Sequence, residues 1–417
     1  MMTSNPKQVF VWVWLPGATE PVVAGRIDDE GAVFSFVYGQ SYLARADAIA
    51  LYPPELPLVR GRQRPRAGLS IAGCLSDAGP DSWGQRVILA RRLGHLDSTS
   101  DTGALSPFSY FLESGSNRIG GLDFQLNADE YIPRSPDRQA TIEDLAQAAE
   151  RLQSGEPLPD DLGDALVRGT SIGGARPKAL IAEGDREVIA KFSVATDVFP
   201  AIPAEAVAME LARRAGLDVA ATRVTRAAGR YTLLVERFDR PSGGGRKIMV
   251  SALTMLGLNE MIAPRSSSYV ALADVIRRDF QGGGAARTEL FRRIVFNVGV
   301  GNTDDHARNH AAFWDGENLR LTPAYDIAPQ VRSGSDANQA MDISRGRDRR
   351  SRFSTCVAAA GEYGLSRSDA QGIVEHVRQV LNDEWADAAD VTELTALDRE
   401  QLWHRAILNP SIGWDWE

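Results

Sequence analysis

Cysteine is nearly absent: Cys74 and Cys356 are the two in 417 residues, and their surroundings are unrelated. Neither a disulfide framework nor a cysteine metal knuckle is expected, and a reducing compartment is the default. No stretch approaches about 18 consecutive apolar residues, so no membrane span is expected. The residues from Met1 to Pro6 carry no basic stretch leading into an apolar run. A secretory signal is therefore not expected, and the location reads as cytoplasmic. Internal repeats and low-complexity tracts are missing as well. Basic residues are outnumbered, 46 Lys and Arg against 55 Asp and Glu, a net charge of −9. That balance does not offer nucleic acid a surface-wide footprint, although a local patch is compatible with it.

What is present is ordinary globular material, 43% hydrophobic and 24% charged. The chain is long enough for two or three lobes. Val9 to Trp14 is β-branched and aromatic throughout and reads as a buried strand. Val22–Ile27, the turn Asp28–Gly31 and Ala32–Tyr38 extend it into a three-strand meander. Asp81 or Ser82 caps a helix that Gly94 ends. These elements predict an N-terminal α+β module over 1–110. Thr141, with Asp144 three residues on, starts a further helix. Lys178–Ile181 and Val188–Phe192 pair as a hairpin, a helix runs from Pro203 to Gly216, and a strand pair leads to Glu236–Arg240. This is a β-rich lobe over 111–245. Pro241–Gly245 reads as a linker. From 246 to 417 helices dominate, near 252–259, 267–279, 287–299, 366–382 and 391–407, with one hairpin turning at Asp315-Gly316.

The densest chemistry lies in Gly301-Asn302-Thr303-Asp304-Asp305-His306-Ala307-Arg308-Asn309-His310. It is bracketed by an apolar run, Leu290–Val300, and by the alternating segment that ends at Ala324-Tyr325-Asp326. Charge between buried elements needs a reason. Asp304 and Asn309 have the Asp-x-x-x-x-Asn spacing of a protein-kinase catalytic loop, where the Asp takes the hydroxyl proton and the Asn binds Mg²⁺. Asp326 stands where such enzymes keep a second Mg²⁺-binding acid. Asp305 is the rival base, and the spacing to Asn309 favours Asp304. A second reading makes His306 and His310, four apart, ligands of zinc or manganese in a hydrolase. A third is a polar loop of capping residues.

Lys191 ends a strand behind a glycine-rich segment, and Glu205 follows on the next helix. That is the order of the Lys–Glu pair that positions phosphates in kinases. Glu210 is the competing acid, more than a turn further on. Ser171-Ile172-Gly173-Gly174-Ala175-Arg176-Pro177-Lys178 fits no standard phosphate loop. Its small residues would still let backbone N–H groups approach an anion, with Arg176 and Lys178 adding charge. Arg345–Arg352 holds five arginines in eight positions. It reads either as a solvated loop or as a patch for a phosphorylated loop, a nucleic acid or an acidic protein.

Thr303–His310 with Leu321–Asp326 resembles the signature of HipA-type toxins, the serine/threonine kinases of bacterial toxin–antitoxin modules. Val235–Arg240, Ser171–Lys178 and Pro80-Asp81-Ser82-Trp83-Gly84 resemble further motifs of that family, and the likeness covers nearly the whole chain. The resemblance implies an α+β, two-lobed kinase-like fold with an added N-terminal module. It implies ATP and Mg²⁺. It makes Asp304 the base, Asn309 and Asp326 the Mg²⁺ ligands, and Lys191 the residue on the phosphates, with Glu205 its partner from the order noted above. Ser171, Gly173 and Gly174 become the phosphate loop, and Glu236 and Phe238 the adenine hinge. It marks Ser171 as an autophosphorylation site. It implies a translation component as target, typically an aminoacyl-tRNA synthetase, and growth arrest as the outcome. A HipB-like antitoxin would neutralise the toxin and mediate its contact with operator DNA. Arg176-Pro177 departs from the commoner Gln-Glu of the family. A non-catalytic corepressor is the alternative from another class, and calorimetry with Mg²⁺–ATP separates the two.

Overall fold

The computed structural model describes residues 6–93, 103, 105–134, 140–157, 159, 162–163, 166, 176–184, 186–195, 197, 199–332, 334 and 336–415. Strands β1 (Gln8–Val13), β2 (Val22–Asp29) and β3 (Phe34–Tyr38) form the expected meander. Val9, Val11 and Val13 are fully buried, the two-residue period of a strand packed on one face. Two more strands, β4 (Arg62–Gln63) and β5 (Leu122–Gln125), complete an antiparallel sheet in the order β4-β3-β2-β1-β5.

Strand β5 corrects the expected boundary at residue 110. Val11 pairs with Phe124 and Val13 with Leu122, so the N-terminal sheet draws its edge strand from beyond that point. The apolar edge of β1 needs a partner, and β5 supplies it. The boundary fails from the other side too. Helix α1 (Ser82–Leu93) comes before residue 110, yet its Trp83, Val87 and Leu89 share a core with the sheet of the next lobe.

That lobe has β6 (Lys178–Glu183), β7 (Arg186–Phe192), β8 (Thr222–Ala227) and β9 (Arg230–Glu236) in the order β6-β7-β9-β8, all antiparallel. Helix α2 (Pro107–Glu113) starts at the Ser106 cap. Helix α3 (Ile142–Gln153) begins with a full capping box between Thr141 and Asp144. Its Leu145, Ala148, Ala149 and Leu152 pack with α1 over Ala179, Val188, Ala190 and Leu234. Helix α4 (Ala201–Arg214) also packs against this sheet and carries Glu205.

Pro241–Gly245 is not a free linker. A Cβ on Gly245 would lie 2.5 Å from the Ala18 carbonyl oxygen, and its φ of +83° suits glycine. The segment is closed down on the N-terminal sheet's first loop. Beyond it, β10 (Ile248–Ser251), β11 (Ala311–Trp314) and β12 (Leu319–Leu321) form a small antiparallel sheet. The helical lobe is built on α5 (Tyr269–Asp279), α6 (Gly283–Val300) and α7 (Arg367–Val391). Leu290, Phe291, Ile294, Val295, Phe296 and Val298 are all fully buried, so α6 is the axis of that lobe. Among the described residues no helix is long and apolar enough to cross a membrane.

Candidate functional site

Gly301 ends α6 in the left-handed region, with φ +72°. A Cβ there would stand 2.5 Å from the Ala406 carbonyl, so glycine is required by space as well as by conformation. The chain then folds back on the helix: the Asn302 N–H donates to the Asn297 carbonyl at 2.9 Å. This turn delivers the polar loop beside the helix end.

The two adjacent aspartates separate sharply. Asp305 is buried and accepts from Tyr269 Oη at 2.6 Å and from Asn297 Nδ2 at 2.7 Å, and it pairs with His310 Nε2 at 2.9 Å. Burial alone would raise its pKa, but the charge and hydrogen bond of His310 and the Tyr269 hydroxyl outweigh that and hold it below the usual carboxylate range. All three partners meet the same oxygen, Oδ2. Asp304 is exposed and has no hydrogen-bond partner among the described residues. The walls around it still remove part of its hydration. That desolvation raises its pKa, His306 opposes it, and the charges of Asp326 and Asp305 add to it. Asp304 is therefore a reachable carboxylate with raised proton affinity, and Asp305 is the anchor of the loop.

Asn309 ends a single 3-10 turn, Ala307–Asn309, and its N–H donates to the His306 carbonyl at 2.9 Å. The side-chain amide is nearly buried and has no hydrogen-bond partner among the described residues. His306 and His310 each keep a buried Nδ1 without a hydrogen-bond partner among the described residues. One nitrogen of His310 faces Asp305. Among the described residues no three His, Cys, Asp or Glu side chains form a group able to hold a metal ion.

Asp326 is held with φ +58°, uncommon for a residue with a side chain. The segment before it is pinned on two sides: Ala324 N–H donates to Asp218 O at 2.7 Å, and Ala220 N–H donates to Ala324 O at 2.9 Å. Tyr325 Oη donates to Arg308 O at 2.7 Å and ties this segment to the polar loop. So fixed, Asp326 reaches Lys191 of β7 at 2.5 Å. Burial would raise its pKa, but Lys191, assisted by Lys178 and His306, outweighs it and the carboxyl lies below the usual range.

Lys191 is gripped from both lobes. Glu205 of α4 lies 2.6 Å away on the side opposite in sequence to Asp326. Burial disfavours the ammonium, yet the two acids outweigh it and raise its pKa, so it stays charged. Glu210, the competing acid, is paired with Arg213 and Arg214 at 2.7 Å each and takes no part. Glu236 and Phe238 flank Arg237 at the end of β9. Phe238 packs against Tyr325 and Phe313, with ring centroids 5.7 and 6.0 Å away. Glu236 lies at the surface, 3.3 Å from Arg186. Arg237 between them is buried. It bonds Asp239 through two nitrogens at 2.9 and 2.7 Å, Asn117 Oδ1 at 2.8 Å and the Arg118 carbonyl at 2.6 Å. This segment is thereby tied to Asn117 and Arg118.

Several expectations meet a different fate. Ser171, Gly173 and Gly174 lie outside the described residues. Arg176 and Lys178 do not offer open charge: Arg176 pairs with Asp197 at 3.0 Å, and Lys178 with Asp81 at 2.6 Å. The arginine stretch 345–352 is no bare cationic patch. Arg345 meets Asp274 at 2.8 Å, Arg350 meets Asp348 at 2.6 Å, Arg352 meets Asp336 at 2.7 Å, and Arg347 and Arg349 share Asp342. Such exposed pairs add little stability, but they cancel the field. Tyr269, Asn297 and Asp81 were missing from the candidates. No spacing in the sequence points to the first two, and Asp81 carried only the signal of a helix cap.

Residues 170–385 match the family model of the HipA-like C-terminal domain. Over 342 residues the chain is 25% identical to the inferred kinase Y4mE of Sinorhizobium fredii (strain NBRC 101917 / NGR234), covering 76% of this chain and 77% of that protein. The fold resembles a chain of the solved complex of HipA, HipB and operator DNA from the Shewanella oneidensis MR-1 toxin–antitoxin system. The TM-score is 0.66 at 18% identity, covering 96% of both chains. The β-rich lobe, the helical lobe and the added N-terminal unit are thus arranged as in that chain. Since the family model spans more than half of the sequence, the chain belongs to the HipA-like family.

Proposed function

We propose that the protein is a serine/threonine kinase that transfers the γ-phosphoryl group of ATP to a protein hydroxyl. One observation carries the reading: Lys191 is clamped between Glu205 and Asp326 while Asp304, alone among the loop acids, keeps an exposed carboxylate with raised proton affinity. Lys191 would grip the phosphates, with Glu205 fixing its direction. Asp304 would orient the acceptor hydroxyl and take its proton. The hydroxyl oxygen then bonds to the γ-phosphorus, the bond to the β–γ bridging oxygen breaks, and ADP leaves. Glu236 and Phe238 would border the adenine.

The donor set suits a hard divalent cation. Asn309 offers an amide oxygen with no protein partner among the described residues, and Asp326 a carboxylate of lowered pKa. These two would hold Mg²⁺, which when bound neutralises charge on the phosphate oxygens. Ser171, in the glycine-rich segment, is the proposed autophosphorylation site. Added phosphate charge there would drive the segment from the nucleotide. In the cell the kinase would act as a toxin that arrests growth by modifying a translation component, an aminoacyl-tRNA synthetase being the leading class. A HipB-like antitoxin would restrain it, and operator DNA would be met through that partner. The paired arginines of 345–352 and the net charge of −9 support an indirect contact with DNA.

Transfer of labelled phosphate from ATP, together with colony growth on induction, tests this. Asp304→Asn is expected to fold as the wild type, abolish transfer and restore growth. Wild-type transfer by that variant would overturn the assignment.

A further inference from the structure

The N-terminal unit makes a polar contact beside the polar loop that phosphoryl transfer, as derived above, leaves unused. Asp77 caps the C-terminal end of a short helix, Gly73–Ser76. Its carboxylate takes both donors of Ser251, 174 residues away. Oδ2 accepts the Ser251 N–H at 2.8 Å, and Oδ1 accepts from Ser251 Oγ at 2.7 Å. Two bonds from one residue to one carboxylate fix orientation as well as distance. The approach is close: a Cβ on Gly73 would stand 2.5 Å from Thr254 Oγ1, so the helix lies as near to Thr254 as a glycine allows.

Ser251 ends β10 and is the N-cap of a single helical turn, Ala252–Met255. The first N–H groups of a helix have no partner within it. Three of them are answered here from different places. Ser251 N–H goes to Asp77, Ala252 N–H donates to the His310 carbonyl at 2.8 Å, and Thr254 N–H donates to Ser251 Oγ at 3.2 Å. The cap itself, Thr254 on Ser251, is complete without Asp77. What Asp77 adds is the direction of the turn whose next N–H holds His310. His310 closes the polar loop, and its ring lies 2.9 Å from Asp305. That end of the loop is held by ring and by main chain, and the main-chain hold leads back to Asp77. Burial raises the pKa of Asp77 and the charge of Arg308 opposes it, so carboxyl and polar loop lie within electrostatic reach of each other.

We propose that Asp77 is a positioning residue for the polar loop: through Ser251 and Ala252 it sets the His310 end and, with it, the place of Asp304. The catalytic consequence rests on the kinase reading above, and the structural one on the contacts alone. It makes the N-terminal unit part of the catalytic apparatus. The hydrogen bonds carry the effect. Asparagine can accept the Ser251 N–H through Oδ1 and donate to Ser251 Oγ through Nδ2, and alanine can do neither.

The test uses the full chain and three measurements: transfer of labelled phosphate from ATP to dephosphorylated casein and to the chain itself, ATP binding by calorimetry, and hydrogen exchange over 302–310. Asp77→Ala is expected to fold, to keep the wild-type affinity for ATP and to exchange faster over 302–310. Its kcat should fall about tenfold to a hundredfold, the range for a catalytic group displaced by about an ångström. Asp77→Asn should restore most of the rate and slow the exchange again. Val9→Ala opens a cavity on the fully buried face of β1, destabilises the same unit, and should leave kcat and the loop's exchange as in wild type. Should Asp77→Ala not fold, Ser251→Ala, which removes one of the two bonds, is read in the same way. Wild-type kcat and exchange in a folded Asp77→Ala would reduce the contact to a clip between units and overturn the proposal. An Asp77→Asn as impaired as Asp77→Ala would assign the effect to charge and overturn it also. A wild type that transfers phosphate to neither acceptor would instead overturn the kinase reading, and exchange over 302–310 would still decide whether Asp77 positions the loop.

Discussion

Replacing Asp305 by alanine separates structure from chemistry in the polar loop. The substitution strips the acceptor from three buried partners at once: Tyr269 Oη at 2.6 Å, Asn297 Nδ2 at 2.7 Å and His310 Nε2 at 2.9 Å. A hydrogen bond to a charged group contributes roughly 1.5–3 kcal/mol. The three do not add, because they share one carboxylate and its partners relax together. Removing one member of a buried charged cluster typically costs about 3–5 kcal/mol, and that is the expected loss here. A typical fold has only about 5–15 kcal/mol in hand, so the urea midpoint followed by tryptophan fluorescence should fall clearly. Asp304→Ala, at an exposed site with no hydrogen-bond partner among the described residues, should stay within about 0.5 kcal/mol of wild type.

The pH dependence gives a second handle on the same residue. The folded-state pKa of Asp305 is depressed. Its stabilising contribution is therefore complete above the unfolded carboxylate value of about 3.9 and is lost as pH falls through the lower folded value. The gap in stability between wild type and Asp305→Ala should hold at neutral pH and narrow only in acid below that value. The reasoning is refuted if Asp305→Ala keeps the wild-type midpoint, or if Asp304→Ala loses several kcal/mol. Either result would exchange the roles of the two acids.

Two further outcomes are expected. Glu205→Gln leaves Lys191 with Asp326 alone and should weaken ATP binding by about tenfold or more; Glu210→Gln, whose side chain serves Arg213 and Arg214, should leave the calorimetric titration unchanged. His306 lowers the pKa of Asp304, so His306→Gln should move the acid limb of the kcat/KM profile to higher pH; a limb that stays put or moves down would exclude Asp304 as the group that limb reports.

Local pattern made much of the fold legible. The meander β1–β3 follows from alternating and β-branched runs, the start of α3 from Thr141 and Asp144, and the buried axis α6 from its apolar density. Strand β5 was not placed in the first sheet, because its partner β1 lies about a hundred residues earlier and nothing in Leu122-Asp123-Phe124 names it. The candidate site shows the same division. Asp304, Asn309 and Asp326 are tied by spacing along a few turns of chain. Spacing alone ranks Asp304 over Asp305 in the sequence; what sets the two apart in the fold is the set of donors to Asp305 from Tyr269, Asn297 and His310.

Charge was the hardest quantity to read, and for a definite reason. Sequence counts charges but does not pair them unless the partners sit within a helical turn. Glu210 with Arg213 and Arg214 is such a local case, and its spacing alone removes it from competition with Glu205. The pairs that shape the site span the chain: Lys191 to Asp326 over 135 residues, Lys178 to Asp81 over 97. Arg345–Arg352 errs in the opposite sense, since five apparent free charges are each answered by a carboxylate, most of them from other segments. What decides whether a basic residue is a binding group is therefore not its density along the chain. It is whether the topology carries the residue in among the candidate site's acids, as it does Lys191 between Glu205 and Asp326, rather than leaving it at the surface against carboxylates of its own.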